Sequence, residues 1–246
     1  MEVVLPIAGS DSSAGAGIQQ DLKTITAHGC YGATVITSIT SQNTLGVHAS
    51  LAVPAGVVAS QIDAVLTDLK PAAIKIGMIP NKDVAEAIVD ELKPYLRQHP
   101  VPVVYDPVMV STSGFCLMQP DAIKYITTHL FPLCTLITPN MPEAERLGDC
   151  LSPYAYLLKG GHAEGDVMTD VLHMPDGTKM EYSTERIVTR NLHGTGCTLS
   201  SAIASNLALG CNIHDAVSKA KTFITAAISR SVDVNIGGGN GPILLD

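Results

Sequence analysis

His193-Gly194-Thr195-Gly196-Cys197-Thr198-Leu199-Ser200 is a turn of small residues that runs straight into an apolar, alanine-rich segment with helical periodicity to Leu209. The first amides of a helix have no partners inside it, and the helix dipole adds partial positive charge there. Such a turn can hold a phosphate or a developing oxyanion. The same field favours a thiolate, so Cys197 is expected to have a lowered pKa and to be a candidate base or nucleophile. The alternative is a glycine turn packed closely on a helix, with a structural cysteine.

Other chemistry-bearing groups flank this turn along the chain. Ala8-Gly9-Ser10-Asp11-Ser12-Ser13-Ala14-Gly15-Ala16-Gly17 reads as a strand end and a glycine-rich loop before a helix that carries Asp21. Gln42-Asn43-Thr44, Lys75-Ile76-Gly77-Met78, Asp106-Pro107-Val108-Met109, Asn140-Met141-Pro142-Glu143 and Lys159-Gly160-Gly161-His162 come next in order. The amide and carboxylate of Asn140 and Glu143 are oxygen ligands suited to magnesium shared with phosphate and water. They equally spell a helix cap with a glutamate at its third position.

Strand-like and helix-like runs alternate from the start, the pattern of a parallel sheet covered on both faces. Val3–Ile7 reads as the first strand, with Pro6 pointing to an irregularity or an edge position. Thr34–Ile39, Ala72–Ile76, Val101–Tyr105, Thr135–Thr138 and Ala155–Leu158 are the next strands. Helical spacing runs through Ile18, Leu22 and Ile25, then Val58 to Leu69, Val84 to Leu92, Ala122 to Leu130 and Ala216 to Ser229. Val171–Tyr182 reads as a hairpin around Asp176-Gly177, and Gly237-Gly238-Gly239 as a flexible or tightly turned loop. Each group above is read as lying just past a strand, so all should converge on the carboxyl rim of one open α/β sheet.

The chain has 246 residues, 46% hydrophobic and 15% charged, enough for a sizeable core. No linker separates the motifs, so one domain spanning 1–246 is expected. A net charge of −8 argues against a nucleic-acid partner, which selects basic stripes. Six cysteines at 30, 116, 134, 150, 197 and 211 form no CxxC pair. They read as reduced thiols of a cytoplasmic enzyme. Val3–Ile7 is too short for a signal segment, and no run approaches the ~18 apolar residues of a membrane span.

Together these motifs, in one order from about Val3 to Pro242, resemble the hydroxymethylpyrimidine/phosphomethylpyrimidine kinases, a branch of the ribokinase-like superfamily. The resemblance implies a three-layer ribokinase-like α/β fold, a mostly parallel central sheet with helices on both faces. It also implies ATP and Mg2+ as cofactors, a small pyrimidine as substrate, a role in thiamine biosynthesis and a homodimer. In that reading Cys197 accepts the proton of the substrate hydroxyl, and Gly194, Thr195 and Gly196 line the transferring phosphoryl group. Glu143 acts on the metal. Lys159 and Asn140 meet the nucleotide, while Asp106 orients metal-bound water or caps its loop. Gly9, Asp21, Gln42, Met78 and Val108 would hold the pyrimidine, Asp21 taking the hydroxymethyl group. His162 and His193 are given no chemistry. A pyridoxal kinase is the nearest alternative, since that ring also carries a hydroxymethyl group, and a non-catalytic binding protein on the same fold is a third.

One departure from the family is evident. A helix of some twenty or more residues normally separates the Asn140 motif from the strand before Lys159, whereas here only 147–153 intervene after a short helix. Because a parallel crossover needs ~10 or more residues, an omitted segment is expected rather than a true loss.

Overall fold

The computed structural model describes residues 1–111, 114–160 and 165–245. Its first half contains β1 (Val3–Asp11), α1 (Gly17–Ala27), β2 (Tyr31–Gly32), β3 (Val35–Asn43), β4 (Gly46–Ala52), α2 (Ala55–Asp68), β5 (Ala73–Ile76) and α3 (Lys82–Gln98). The second contains β6 (Val103–Tyr105), α4 (Pro120–Tyr125), β7 (Leu136–Ile137), α5 (Met141–Leu147), β8 (Tyr156–Leu158), β9 (Val167–His173), β10 (Lys179–Glu185), α6 (Thr195–Ala208) and α7 (Ile213–Arg230). One sheet runs in the order β10-β9-β8-β7-β6-β5-β1-β3-β4, with β2 paired to β1. The strands from β3 through β8 in that order are parallel, and antiparallel hairpins, β3–β4 and β9–β10, close the two ends.

The central strands are buried on both faces, and their side chains alternate between two cores. Leu5, Ile7, Ile74, Ile76, Val103 and Tyr105 pack with residues of α2, α3 and α4. Val4, Val104, Leu136 and Leu157 pack on the opposite face with α6 and α7. This is the expected period of two with helices on both sides. With no tryptophan and three phenylalanines in the chain, both cores are mainly aliphatic.

Three points about the chain emerge from the fold. Of the two readings of Pro6 the irregularity holds and the edge position does not: Pro6 lies in a central strand. It falls opposite Thr34, in the gap between β2 and β3, where its missing N–H leaves no ladder bond unmade. The β3–β4 hairpin is not apparent in the sequence, because Thr44-Leu45 carries no strong turn signal and β4 has four consecutive exposed residues. The crossover from β7 to β8 is closed by residues 138–155 alone, through α5 and a 3-10 turn at Gly148–Leu151. That length satisfies a parallel connection, so no omitted segment is needed. Other expectations hold: Thr178 N–H bonds the Asp176 carboxylate in the β9–β10 turn, and the 237–239 loop is tightly turned against Thr44.

Candidate active site

The sheet's carboxyl rim opens into a cavity of about 750 Å3. Gly9, Gln42, Met78 and Val108 line it, as do Asp106, Asn140, Glu143 and Lys159. Gly194, Thr195, Gly196 and Cys197 line the same cavity. This turn reaches the rim by a different route from the other groups, since it comes after the antiparallel strand β10 and leads into α6.

Gly194 has φ +84°, and a Cβ there would sit 1.8 Å from the Gly15 carbonyl oxygen. Only glycine meets both requirements. Thr198 N–H bonds Gly194 O, while among the described residues the amides of Gly196 and Cys197 have no protein partner. Those two amides at the start of α6 are free for an anion. The Cys197 thiol accepts the Gly17 N–H. Its pKa departs from expectation: enclosure in the cavity floor pushes it up to about 11, with the carboxylates of Asp21 and Asp106 adding to the rise. The Lys75 ammonium and the Gly17 amide pull it down without overcoming the rest.

Asp106, just past β6, is buried, and its Oδ1 accepts Lys159 Nζ at 2.7 Å and the Thr138 hydroxyl at 3.0 Å. Its Oδ2 turns to Gly196, where a Cβ would approach to 3.3 Å. Asn140 and Glu143 form a full capping box on α5: Glu143 N–H donates to Asn140 Oδ1 at 2.9 Å and Asn140 N–H to Glu143 Oε2 at 2.8 Å. Burial pushes Glu143 up to about 7. Lys159 opposes that rise and Asp106 reinforces it. Burial also disfavours the Lys159 ammonium, but Asp106 and Glu143 outweigh it and hold the lysine above its ordinary value. Two carboxylates thus share one cation. Among the described residues no cluster of three or more His, Cys, Asp or Glu forms a metal cage. An all-oxygen pair of this kind fits magnesium that keeps its waters and is shared with phosphate.

Gly9 lies under Met78, whose sulfur would meet a Cβ at 2.9 Å. Gln42 is fastened through its backbone to the Ser12 hydroxyl, at 2.9 Å from its N–H and 2.7 Å from its carbonyl. Asp21 does not join this group. It is fully buried beneath the cavity, with Lys75 Nζ at 2.8 and 2.9 Å from its two oxygens and the Ser201 hydroxyl donating at 2.8 Å. Three hydrogen bonds hold it there, and it does not line the cavity. Gly161 and His162 lie outside the described residues.

Two positions to which a reading of the sequence gives no role lie at the cavity. Lys75 sits mid-strand between Ile74 and Ile76, fully buried, yet touches the cavity. Burial alone would lower its pKa, but Asp21 first, then Cys197 and Asp106, hold it well above the ordinary lysine value. A lysine flanked by isoleucines in a buried strand is the available signal. His193, in sequence a loop residue with no chemistry, has Nε2 at 2.8 Å from Asp11 Oδ2 and 2.9 Å from Gln42 Nε2.

Comparison with known proteins bears on this arrangement. The family model described as phosphomethylpyrimidine kinase matches residues 11–244. A hydroxymethylpyrimidine/phosphomethylpyrimidine kinase of Rhizobium meliloti is 45% identical over 259 aligned positions, covering 98% of this chain and 96% of that protein. The crystal structure of a phosphomethylpyrimidine kinase from Clostridium difficile is 41% identical, with a TM-score of 0.78, covering 93% of this chain and all of that one. An ADP complex of Bacillus subtilis pyridoxal kinase is 32% identical with a TM-score of 0.84, covering 100% and 97% of the two chains. With the family model matched along nearly its whole length and the sheet order, capping box and glycine–cysteine turn in place, the chain belongs to the phosphomethylpyrimidine kinase family, on a ribokinase-like fold.

Proposed function

We propose that the protein transfers the γ-phosphoryl group of ATP to the hydroxymethyl group of 4-amino-5-hydroxymethyl-2-methylpyrimidine, and then to the resulting monophosphate, supplying the diphosphate for thiamine biosynthesis. The observation that carries this reading is that Cys197 and the free α6 amides line one cavity together with Gln42, Met78 and Val108 and with Asp106, Glu143 and Lys159. The ring lies between Met78 and Val108 with its polar edge on Gln42 and its alcohol facing Cys197. The thiolate of Cys197 takes the hydroxyl proton as the oxygen bonds to phosphorus and the β–γ bridge breaks, releasing ADP. The Gly196 and Cys197 amides, with the turn from Gly194 through Thr195, stabilise the charge spreading over the transferred group. Lys159 and Asn140 hold the nucleotide phosphates, and Asp106 stands beside them. Glu143, with Asp106, would hold Mg2+ through water, which when bound neutralises phosphate charge.

ADP release measured with the pyrimidine alcohol, its monophosphate and pyridoxal in turn tests the reading. Turnover on the first two supports it. Pyridoxal as the only substrate establishes the alternative that the likeness to B. subtilis pyridoxal kinase favours. Ligand-induced stabilisation without ADP release with any alcohol establishes a binding protein.

Two further expectations arise from the site. Glu143→Gln keeps the capping box but removes the charge, so turnover falls far more than pyrimidine affinity, and added magnesium restores part of it. The carboxyl's raised pKa means the folded state holds a proton the unfolded chain has released, so stability declines between about pH 4.5 and 7 and then levels off. Thermal melts of Glu143→Gln should lack that decline. Loss of pyrimidine binding at unchanged turnover would remove Glu143 from the metal. Gln42→Leu nearly preserves shape but leaves the ring edge unpaired, weakening pyrimidine binding by ~1 to 3 kcal/mol with nucleotide affinity unchanged. Equal loss of both ligands in calorimetry would place the ring elsewhere.

We also infer a cytoplasmic homodimer. None of the described cysteines is paired, and no described helix is long and apolar enough to cross a membrane. The cross-strand pair Ile39 and Leu51 on the β3–β4 hairpin is 53% and 69% exposed, an apolar face that a second copy would cover. Sedimentation velocity of Leu51→Asp against the parent checks this contact.

A further inference from the structure

His193 ties together three segments that are distant in sequence. Its Nε2 faces Asp11, the last residue of β1, and Gln42 near the end of β3, and its own backbone opens the Gly194–Cys197 turn. The ring is held tightly: a Cβ on Gly15 would come within 2.4 Å of His193 Cδ2 and 3.2 Å of Pro242 Cβ, and His193 N–H bonds Gly241 O at 3.1 Å. Asp11 is fixed in turn. Its Oδ1 accepts the Ser13 N–H and hydroxyl at 2.8 and 2.7 Å, and its Oδ2 accepts the Ala16 N–H at 2.9 Å. Burial pushes Asp11 up, but the hydrogen bonds of His193 and Ser13 outweigh it and hold the carboxyl below its ordinary value.

An ionised carboxylate only accepts, so the proton between Asp11 and His193 must reside on Nε2. A nitrogen that carries this proton cannot also accept one from the Gln42 amino group. The two ends of a carboxamide are alike in shape, so their assignment is set by the hydrogen-bond network. With Nε2–H shared between Asp11 and Gln42, the end of Gln42 that faces the ring must be its oxygen.

We propose that His193, oriented by Asp11, is a positioning residue that holds the Gln42 carboxamide with its oxygen on the imidazole and its amino group in the cavity. The ligand edge selected there is therefore one that presents an acceptor, a ring nitrogen, rather than a donor. The proposal rests on Gln42 meeting the ring, as in the function proposed above. It also makes His193 a mechanical link between ring recognition and the adjoining catalytic turn.

Calorimetry on the full-length protein tests this with the pyrimidine alcohol and with ATP separately. His193→Leu weakens pyrimidine binding by about tenfold or more, roughly the worth of one well-placed hydrogen bond, with nucleotide affinity unchanged. His193→Gln returns an N–H near the Nε2 position and recovers most of the loss. The double variant His193→Leu/Gln42→Leu binds no worse than Gln42→Leu alone, a non-additivity that a general loosening of the loops does not produce. Analogues in which each ring nitrogen in turn is replaced by C–H complete the test. One of them loses affinity in the parent but not in Gln42→Leu.

Unchanged pyrimidine affinity in His193→Leu, with Gln42→Leu impaired, overturns the positioning role and leaves the ring-edge assignment standing. Equal loss of pyrimidine and ATP in His193→Leu makes the histidine a loop brace and overturns it as well. Indifference of the parent to both analogues overturns the donor orientation. If Gln42→Leu itself binds the pyrimidine normally, the underlying reading of Gln42 fails and this inference falls with it.

Discussion

Cys197→Ala lowers turnover by ~10² to 10⁴-fold, the usual span of a general-base contribution, while nucleotide and pyrimidine still bind. Alanine keeps the small volume and the free amides of the α6 turn, so the loss isolates the titrating group. The pH profile carries a second signature. With the thiol pushed up to about 11, only ~10⁻⁴ of it is thiolate at pH 7, and each added pH unit raises that fraction about tenfold. The parent's kcat/KM should therefore climb steeply on the alkaline side of neutrality. Cys197→Asp supplies a base with a much lower reference pKa, recovers part of the activity and moves the acidic limb down in pH. Parental turnover in Cys197→Ala at saturating ATP and magnesium would make the cysteine structural and leave phosphoryl transfer to the amides and metal.

Lys75→Met destabilises the fold by about 3–5 kcal/mol, because it leaves the Asp21 carboxylate buried without its cation. Both partners are wholly inaccessible to solvent and only 2.8 Å apart, so in the native fold no water competes for the pair. The loss is read as a lower denaturant midpoint at unchanged slope. Lys75→Met combined with Asp21→Leu should regain most of it, since an apolar pair of similar volume is often as stable as the ion pair it replaces. If Lys75→Met alone costs less than ~1 kcal/mol, the pair is not a structural anchor and Asp21 takes up a proton at little expense. The doubly substituted protein also separates fold from function. It has lost both the ammonium that draws the Cys197 pKa down and the Asp21 carboxylate that raises it; the ammonium's effect is the larger, so the alkaline rise shifts only slightly to higher pH.

The alternation of strands and helices, the hairpin at Asp176-Gly177 and the capping box at Asn140–Glu143 were legible in the chain because each arises from neighbours a few residues apart. Periodicity of two or 3.6, a turn dipeptide and a side chain reaching three residues on are local physics. The convergence of Gly9, Gln42, Met78, Asp106, Val108, Glu143 and Lys159 on one cavity was legible too, by a longer inference. Parallel strands share a direction, so the loops leaving their carboxyl ends lie on one rim.

The charge environment was not legible. At Cys197 the local rule, a thiol at a helix start, predicts a lowered pKa, yet enclosure and the carboxylates of Asp21 and Asp106 reverse the sign. Asp21, read as a ligand for substrate, is instead committed to Lys75, 54 positions away, and to Ser201, 180 away. His193 shows nothing in sequence because its partners Asp11 and Gln42 lie 182 and 151 positions distant. By itself the sequence determined most of the strands and helices and the rim they reach, though not β4, which lacks both a strong turn signal before it and a buried alternation. Only the tertiary structure decided which polar groups face one another in low dielectric, and Coulomb and desolvation energies depend on those distances and not on separation along the chain.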